Sequence, residues 1–423
     1  MKKIICLTLA LAWITSLSAQ RFEDFFNDAT LRLDYIFMGN KSEQHIALDQ
    51  LSSIPKWYGK KQRLAEVPVE GNGQIYVIEP HTGQILYRNS FSTLFQEWLS
   101  YDESKTQTRS FENVFLVPMP KDTVIVTVEL KNNRREVTAR LSHLVVPKDI
   151  LIKKFNAGKH TPYEILNSPA DPDKCIHIAY VAEGYTEEEM QTFIDDAMIA
   201  NEALFSHEPF KSMKDKFLIT AVKSVSQDSG TSEPANGIWR NTVLGSSFDT
   251  FYSSRYLTTL HLKDLHDVLA GTPYEHIIVL VNTEKYGGGG ILNSYNLSMT
   301  HHKLYRPVVV HEFGHSFAGL ADEYAYENEP IPMYPHDIEP WEQNITTLTR
   351  FDDKWQDMVS KKTNIPTTES KDNTVVGAFE GAGYSLNGVY RPMYDCRMRT
   401  NENPEFCEVC KRAIKRLIEF YTE

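Results

Sequence analysis

The stretch His311-Glu312-Phe313-Gly314-His315, which runs on to Leu320-Ala321-Asp322-Glu323-Tyr324, is the most informative part of the sequence. Two histidines four residues apart lie on the same face of a helix, so both imidazoles can reach one tetrahedral metal ion. The glutamate between them then lies beside the ion, where it can accept a proton from water. The pattern is typical of the metal-binding helix of a zinc peptidase, and it predicts Glu312 as the general base.

The flanking residues indicate a helix with one buried face. Pro307 suits a first helical turn, and Gly319 is suited to end the helix. Phe313 and Phe317 would face the core, and Gly314 would let a neighbouring element approach closely. An ordinary amphipathic helix with two hydrogen-bonded histidines is the alternative interpretation.

A catalytic zinc ion needs three protein ligands, so His311 and His315 require a partner. Asp322 follows Gly319, at a point where the chain can fold back toward the metal, and is the predicted third ligand. Glu323 is the near alternative, and a turn aspartate without a metal is the plainer one. The metzincin pattern places a Gly three residues after the second histidine and a His or Asp three residues further. Here both residues are displaced by one, so the motif is metzincin-like with a one-residue insertion.

Composition and charge indicate a globular, acidic protein. The chain has 423 residues, enough for two domains, with 41% hydrophobic and 24% charged residues. Lys and Arg number 44 against 56 Asp and Glu, which gives a formal net charge of −12. Nucleic acid and anionic membranes are therefore poor partners.

The N-terminus has the features of a secretory signal peptide over residues 1–19. Lys2 and Lys3 precede an apolar core at residues 4–17, and small residues follow it before Gln20. We expect cleavage before Gln20 and export to the periplasm, the cell surface or the medium, in a bacterial source. No later stretch is apolar enough to span a membrane.

Four cysteines follow the signal segment, namely Cys175, Cys396, Cys407 and Cys410. In an exported chain an even number suggests up to two disulfides, or else plain thiols. The Cys407-x-x-Cys410 pair could instead be redox-active, or could hold a structural metal together with Cys396.

Residues 20–152 are predicted to form a β-rich accessory domain. Short apolar or alternating runs separated by turn signals are typical of an antiparallel sandwich. Substrate binding and structural support are equally open roles for it. The predicted strands are 74–79, 84–87, 113–117, 123–130 and 137–146.

A polar segment with three prolines, residues 153–173, is expected to connect this domain to the catalytic domain at 174–423. In the second domain, strands predicted at 175–181, 217–225 and 276–282 alternate with helices. One of these helices would start at a Thr186…Glu189 capping box. This alternation predicts an α/β domain.

The four glycines at 287–290, followed by residues 291–299, suggest a bend that leads into an exposed strand. Zinc peptidases bind the substrate backbone along such an edge strand. A glycine hairpin between ordinary strands is the alternative. Further on, Met398 is preferred over Met393 as the methionine beneath a metzincin metal site, and a plain core methionine is as good an interpretation. The closing helix is predicted at 408–421.

Several segments together resemble the IgA-peptidase family of bacterial zinc metalloendopeptidases, most strongly from residue 175 onward. They are the signal peptide, the β-rich region, Val181-Ala182-Glu183-Gly184-Tyr185-Thr186, Asp228-Ser229-Gly230-Thr231-Ser232, the stretch from His311 to Tyr324, and the tail Cys396-x-Met398…Phe406-Cys407-x-x-Cys410.

The resemblance implies zinc held by His311, His315 and Asp322, with Glu312 as general base. It also implies a metzincin-like catalytic domain behind a β sandwich. It does not imply cleavage of immunoglobulin A.

The expected function is that of a secreted zinc-dependent endopeptidase that hydrolyses peptide bonds of extracellular or host proteins. A tyrosine at 324, 390 or 394 could assist. One alternative is a non-catalytic surface binding protein on a relic peptidase fold, although the retained general base argues against it. Another is a zinc amidase that acts on cell-wall amides.

Overall fold

The computed structural model describes residues 21–155, 160–325, 334–368 and 372–423. The expected signal peptide lies outside the described residues, as does part of the expected connection, residues 156–159.

The N-terminal part is a β domain, as predicted. It consists of two four-stranded sheets. Rings from both sheets meet between them: Phe91 lies 4.3 Å from Phe115 and 6.2 Å from Phe37, measured between ring centroids. One sheet has the strand order β5-β1-β2-β8 and the other β4-β3-β6-β7. The strands are β1 (Phe26–Gly39), β2 (Gln44–Ile54), β3 (Gly73–Ile78), β4 (Ile85–Phe91), β5 (Arg109–Pro120), β6 (Val124–Lys131), β7 (Val137–Val145) and β8 (Lys153–Lys154), and the helices are α1 (Phe22–Phe25) and α2 (Leu94–Trp98).

The C-terminal part is a mixed α/β domain, again as predicted. Its six-stranded sheet has the order β13-β14-β12-β10-β11-β9, parallel at its centre and antiparallel at both edges. The strands are β9 (Tyr163–Asn167), β10 (Ile176–Glu183), β11 (Phe217–Val222), β12 (His276–Val281), β13 (Gly288–Ile291) and β14 (Tyr295–Met299). Strand β9 comes from the segment that was expected to connect the domains.

Helix α5 (Tyr305–Ala318) carries the metal-binding motif and packs on this sheet and on two further helices. Phe313 and Phe317 stack 5.0 Å apart and are buried against the sheet, as the sequence predicts. A capping box at Thr186 and Glu189 precedes α3, as predicted. The remaining elements are α3 (Met190–Leu204), α4 (Leu262–Val268), β15 (Phe379–Ala382), β16 (Ser385–Arg391) and α6 (Glu408–Thr422).

The edge strand beside α5 differs from the prediction. The glycines themselves form the edge strand β13, whereas the segment expected to be exposed contains β14, which is buried and paired on both sides. The reason is close packing: a Cβ on Gly290 would lie 2.4 Å from the backbone oxygen of Glu312. Only glycine lets a strand approach the helix this closely.

The two domains share one apolar core. Buried side chains of the sandwich form a single cluster with Val181, Val279 and Leu297 of the α/β sheet. On the opposite face of β1, Arg32 is buried and pairs with Asp34 at 2.7 Å and with Asp267, which lies on α4. Since apolar burial dominates stability, neither domain can be removed without exposing the core of the other. No helix in the described part of the chain combines the length and the apolarity that crossing a bilayer requires.

Candidate active site

The two histidines of α5 face each other with their Nε2 atoms 3.1 Å apart. Each Nδ1 lies on a backbone carbonyl oxygen, that of Arg397 at 3.0 Å for His311 and that of Leu320 at 2.6 Å for His315. A carbonyl oxygen can only accept, so each Nδ1 carries the proton and each Nε2 presents a lone pair. Both lone pairs therefore converge on one point, which is the arrangement that metal-ligating histidines require.

The chain reverses after α5 and brings Asp322 to the same point. Gly319 ends the helix in the left-handed conformation, with φ 59°. Asp322 Oδ1 lies 3.1 Å from Nε2 of His311 and 3.3 Å from Nε2 of His315. This oxygen is buried and has no hydrogen-bond partner apart from the two imidazoles it faces. The other oxygen of Asp322 accepts a hydrogen bond from the Tyr384 hydroxyl.

These three atoms fit a tetrahedral zinc ion. Ligand atoms held about 2.0–2.1 Å from such an ion lie about 3.3 Å from one another. The three separations of 3.1, 3.1 and 3.3 Å agree with that value to within a few tenths of an ångström. A buried carboxylate oxygen facing two lone pairs is repelled unless a cation or protons lie between them. The residues present therefore fit the metal that the motif predicts.

With no metal bound, the pKa values of these groups favour a proton in the place of the cation. Burial by itself would lower the pKa of His315, but the Asp322 carboxylate outweighs burial and raises it to about 9. Burial would raise the pKa of Asp322, but both histidines outweigh it and hold that pKa below the ordinary value. The carboxylate thus favours positive charge at this point.

Glu312 lies on the cleft side of α5 beside the two histidines. Its carboxylate packs against the edge strand, where a Cβ on Gly288 would come within 2.6 Å of its Oε1. Burial raises the pKa of Glu312, and the neighbouring histidines offset this only in part. A carboxylate with a raised pKa is a stronger proton acceptor, which suits a general base.

Glu323 does not reach the histidine pair. It is buried and receives a hydrogen bond from Asn344 at 2.9 Å, and its carboxylate contacts Cys410 at 3.1 Å. The side-chain amide of Asn344 also accepts a hydrogen bond from the N–H of Ala321 and donates one to the carbonyl oxygen of Ala321. The turn after α5 therefore directs consecutive acidic residues to opposite sides.

Met398 is the methionine that lies under the helix. Its sulfur would be 2.7 Å from a Cβ on Gly314, so the close approach predicted at this glycine is made by Met398. Met393 is also buried in the C-terminal core.

The site lies in a cleft of about 740 Å³ that both domains line. The α/β domain contributes the α5 motif and the glycine strand, and the β domain contributes Asn72, Gln96 and Glu97. Among the tyrosines considered from the sequence, Tyr324 lines this cleft, whereas Tyr390 and Tyr394 do not belong to its described lining.

Sequence reasoning missed three residues of the cleft. Tyr384 holds Asp322, and its hydroxyl lies 3.4 Å from that of Tyr324. Glu97 of the β domain accepts a hydrogen bond from Tyr256 at 2.5 Å, and burial raises its pKa to about 7. No local pattern marks any of the three, because each is brought to the site from a distant part of the chain.

The four cysteines in the described part of the chain form no disulfide. Cys175, Cys396, Cys407 and Cys410, all buried, are free thiols, so the suggested disulfides are absent from the described residues. Cys175 lies apart, 3.6 Å from His177, while the other three lie together.

Comparison with known families agrees with this architecture. Residues 164–375 and 368–418 match the family model described as IgA Peptidase M64, and residues 21–142 match the model described as Peptidase M64 N-terminus. The matches define the protein as a peptidase, a hydrolase with protein as its substrate class. The chain belongs to the IgA peptidase M64 family. The resemblance to the IgA-peptidase family that was inferred from the sequence is therefore confirmed. No curated protein matches the chain.

Proposed function

We propose that this protein is an exported, zinc-dependent endopeptidase that hydrolyses peptide bonds of extracellular or host proteins. His311, His315 and Asp322 would hold the zinc ion, and Glu312 would be the general base. The observation that carries the proposal is the convergence of two imidazole Nε2 atoms and a buried Asp322 oxygen within 3.1 to 3.3 Å of one another.

When bound, zinc lowers the pKa of a water molecule and polarises the carbonyl of the peptide bond. Glu312 takes the proton of the attacking water and then delivers it to the amine that leaves. The hydroxyl of Tyr384 donates to Asp322 and keeps that carboxylate oriented, and the hydroxyl of Tyr324 lies 3.4 Å from that of Tyr384 at the wall of the cleft. The carbonyls of Arg397 and Leu320 hold both imidazoles in the tautomer that presents Nε2.

A metzincin-like architecture is part of the proposal. It is supported by an acidic residue just past the helix, by Met398 beneath Gly314, and by an antiparallel edge strand along the helix. A substrate segment would lie between this strand and the β domain, so that residues of both domains contact it. A relic binding protein is the weaker alternative, since Glu312 is retained and faces the cleft.

The test is cleavage-site profiling of a mixed proteome with the purified protein. We expect cleavage by the wild type, loss of cleavage after removal of zinc by a chelator, and recovery when zinc is restored. The Glu312→Gln variant is the control for a contaminating protease. Equal cleavage by wild type and variant would refute the proposal.

A further inference from the structure

A second cluster of potential metal ligands lies behind the candidate active site. Glu323, Cys396, Cys407 and Cys410 are all buried, and their ligand atoms lie within 4.8 Å of one another. They come from three segments: the turn after α5, the chain beneath that helix, and the start of α6.

The separations within this cluster fit a tetrahedral zinc ion better than a disulfide. Two thiolate sulfurs bound about 2.3 Å from zinc lie about 3.8 Å apart, whereas bonded sulfurs lie about 2.05 Å apart. Sγ of Cys396 is 3.8 Å from Sγ of Cys410. Oε1 of Glu323 is 3.1 Å from Sγ of Cys410 and 4.0 Å from Sγ of Cys407, on either side of the roughly 3.5 Å expected for a carboxylate and a thiolate.

The backbone around the sulfurs is arranged to stabilise negative charge. Cys407 is the N-cap of α6 and Cys410 lies in its first turn, where the helix favours anions. The N–H of Cys407 donates to Cys396 at 3.1 Å, and that of Cys410 donates to Cys407 at 3.5 Å. Two cysteines separated by two residues are the spacing of structural zinc sites.

The carboxylate supplies an independent indication of a cation. Glu323 is fully buried, and its Oε2 has no hydrogen-bond partner. An unsatisfied buried carboxylate oxygen is costly unless the group faces a cation or takes up a proton. Thiolate ligands with one oxygen ligand, in tetrahedral arrangement, favour zinc over magnesium or calcium.

We propose that Glu323, Cys396, Cys407 and Cys410 bind a second, structural zinc ion. Four protein ligands and full burial leave no open position for a water or a substrate, which is the difference between a structural and a catalytic site. Binding requires the three thiols to release their protons, so the site is a thiolate centre when it is loaded.

This ion would stabilise the candidate active site by holding together the segments that position its residues. Glu323 directly follows Asp322, and its N–H donates to the carbonyl of Met398 at 2.8 Å. Arg397, whose carbonyl orients His311, lies between Cys396 and Met398. The second zinc ion therefore ties together the two segments that position Asp322 and His311.

Metal analysis and cobalt substitution test the proposal. We expect two zinc ions in each wild-type chain and one in the His311→Ala/His315→Ala variant. Reconstitution of that variant with Co²⁺ should give the near-ultraviolet charge-transfer band of cobalt thiolates. The matched control is Cys175→Ser, which removes a buried thiol outside the cluster and should leave both ions in place.

A further Cys407→Ser substitution in the double-histidine variant should weaken the cobalt band, because one of its three thiolates is lost. If that protein does not fold, the band in the double-histidine variant itself decides. A double-histidine variant that binds no metal, or a disulfide among the three cysteines in mass mapping of unreduced protein, would overturn the proposal. Failure of the zinc assignment at the cleft alone would leave the thiolate band intact in the wild type.

Discussion

Asp322 and Glu323 are neighbours in the chain, yet their carboxylates face two different clusters. Asp322 Oδ1 lies 3.1 Å from Nε2 of His311, and Glu323 Oε1 lies 3.1 Å from Sγ of Cys410. In the extended segment that follows α5, consecutive side chains point to opposite sides. One short segment is therefore shared by the candidate active site and the proposed structural zinc site.

Glu312→Gln should abolish proteolysis while the protein keeps its fold and its zinc. Loss of a general base typically lowers the rate by about 10²–10⁴-fold. The measurement is cleavage of a fluorogenic peptide, alongside zinc content and a thermal melt. Glu202→Gln is the control, since Glu202 is an exposed residue of α3 that pairs with Arg306, lies outside the described cleft lining and should keep wild-type activity. Full activity of the Glu312→Gln variant would show that another group is the general base.

Tyr384→Phe should weaken zinc binding at the cleft. The hydroxyl holds Asp322, and loss of a hydrogen bond to a ligand typically costs about 10–100-fold in metal affinity. Competition with a chromophoric chelator measures this affinity. Tyr390→Phe, outside the described cleft lining, should leave it unchanged. Unaltered affinity in Tyr384→Phe would show that the hydroxyl does not support the ligand.

Arg32→Ala should destabilise the protein by about 3–5 kcal/mol, because it leaves the Asp34 carboxylate buried without its partner. Urea unfolding measures the change. Arg134→Ala is the matched control, since it breaks an exposed pair with Asp337 between the same two parts of the chain and should leave the free energy of unfolding almost unchanged. Equal effects of the two variants would contradict a buried role for Arg32.

Stability should fall as the pH is lowered below about 6.5, in part because of His276. Burial lowers the pKa of His276 from 6.5 to about 3, with a smaller contribution from His177. Between about pH 6.5 and 3, the imidazole of His276 is therefore protonated in the unfolded chain and neutral in the folded chain. At pH 5 this costs about 2 kcal/mol, and the loss is complete near pH 3.

The His276→Phe variant should show a shallower loss of stability between pH 6.5 and 4. A phenyl ring suits the position, because the imidazole packs 4.8 Å from the ring of Phe317. Denaturant unfolding at several pH values gives the slope. His81→Phe, at an exposed residue, should keep the wild-type slope. An unchanged slope in His276→Phe would mean that this imidazole is protonated in the folded protein.

The exported form should begin at or near Gln20. This follows from the basic residues, the apolar core and the small residues that precede it. N-terminal sequencing of the protein recovered outside the cytoplasm checks it. A mature chain that retains Met1 would refute the signal peptide.

The predicted strands of the β domain and the α/β alternation were recognisable because each depends on a local period of apolar residues. The prediction lacks strands β1 and β2, although residues 31–37 of β1 alternate in much the same way. The edge strand was misplaced because a run of glycines has no strand signal. Its pairing is decided by close contact with α5, which no local pattern encodes.

The sequence by itself determined the α5 motif, because residues four apart lie on one helical face whatever surrounds the helix. It also determined the family. Tertiary structure decided which acid joins His311 and His315, which methionine lies under the helix, and that Tyr384 supports the cleft. It also gathered three cysteines around Glu323, whereas an even cysteine count had suggested disulfides. The physical reason is that the path of the chain, and not local periodicity, sets these distances. The turn at Gly319 brings Asp322 back to the histidines, and the other contacts join segments far apart in sequence.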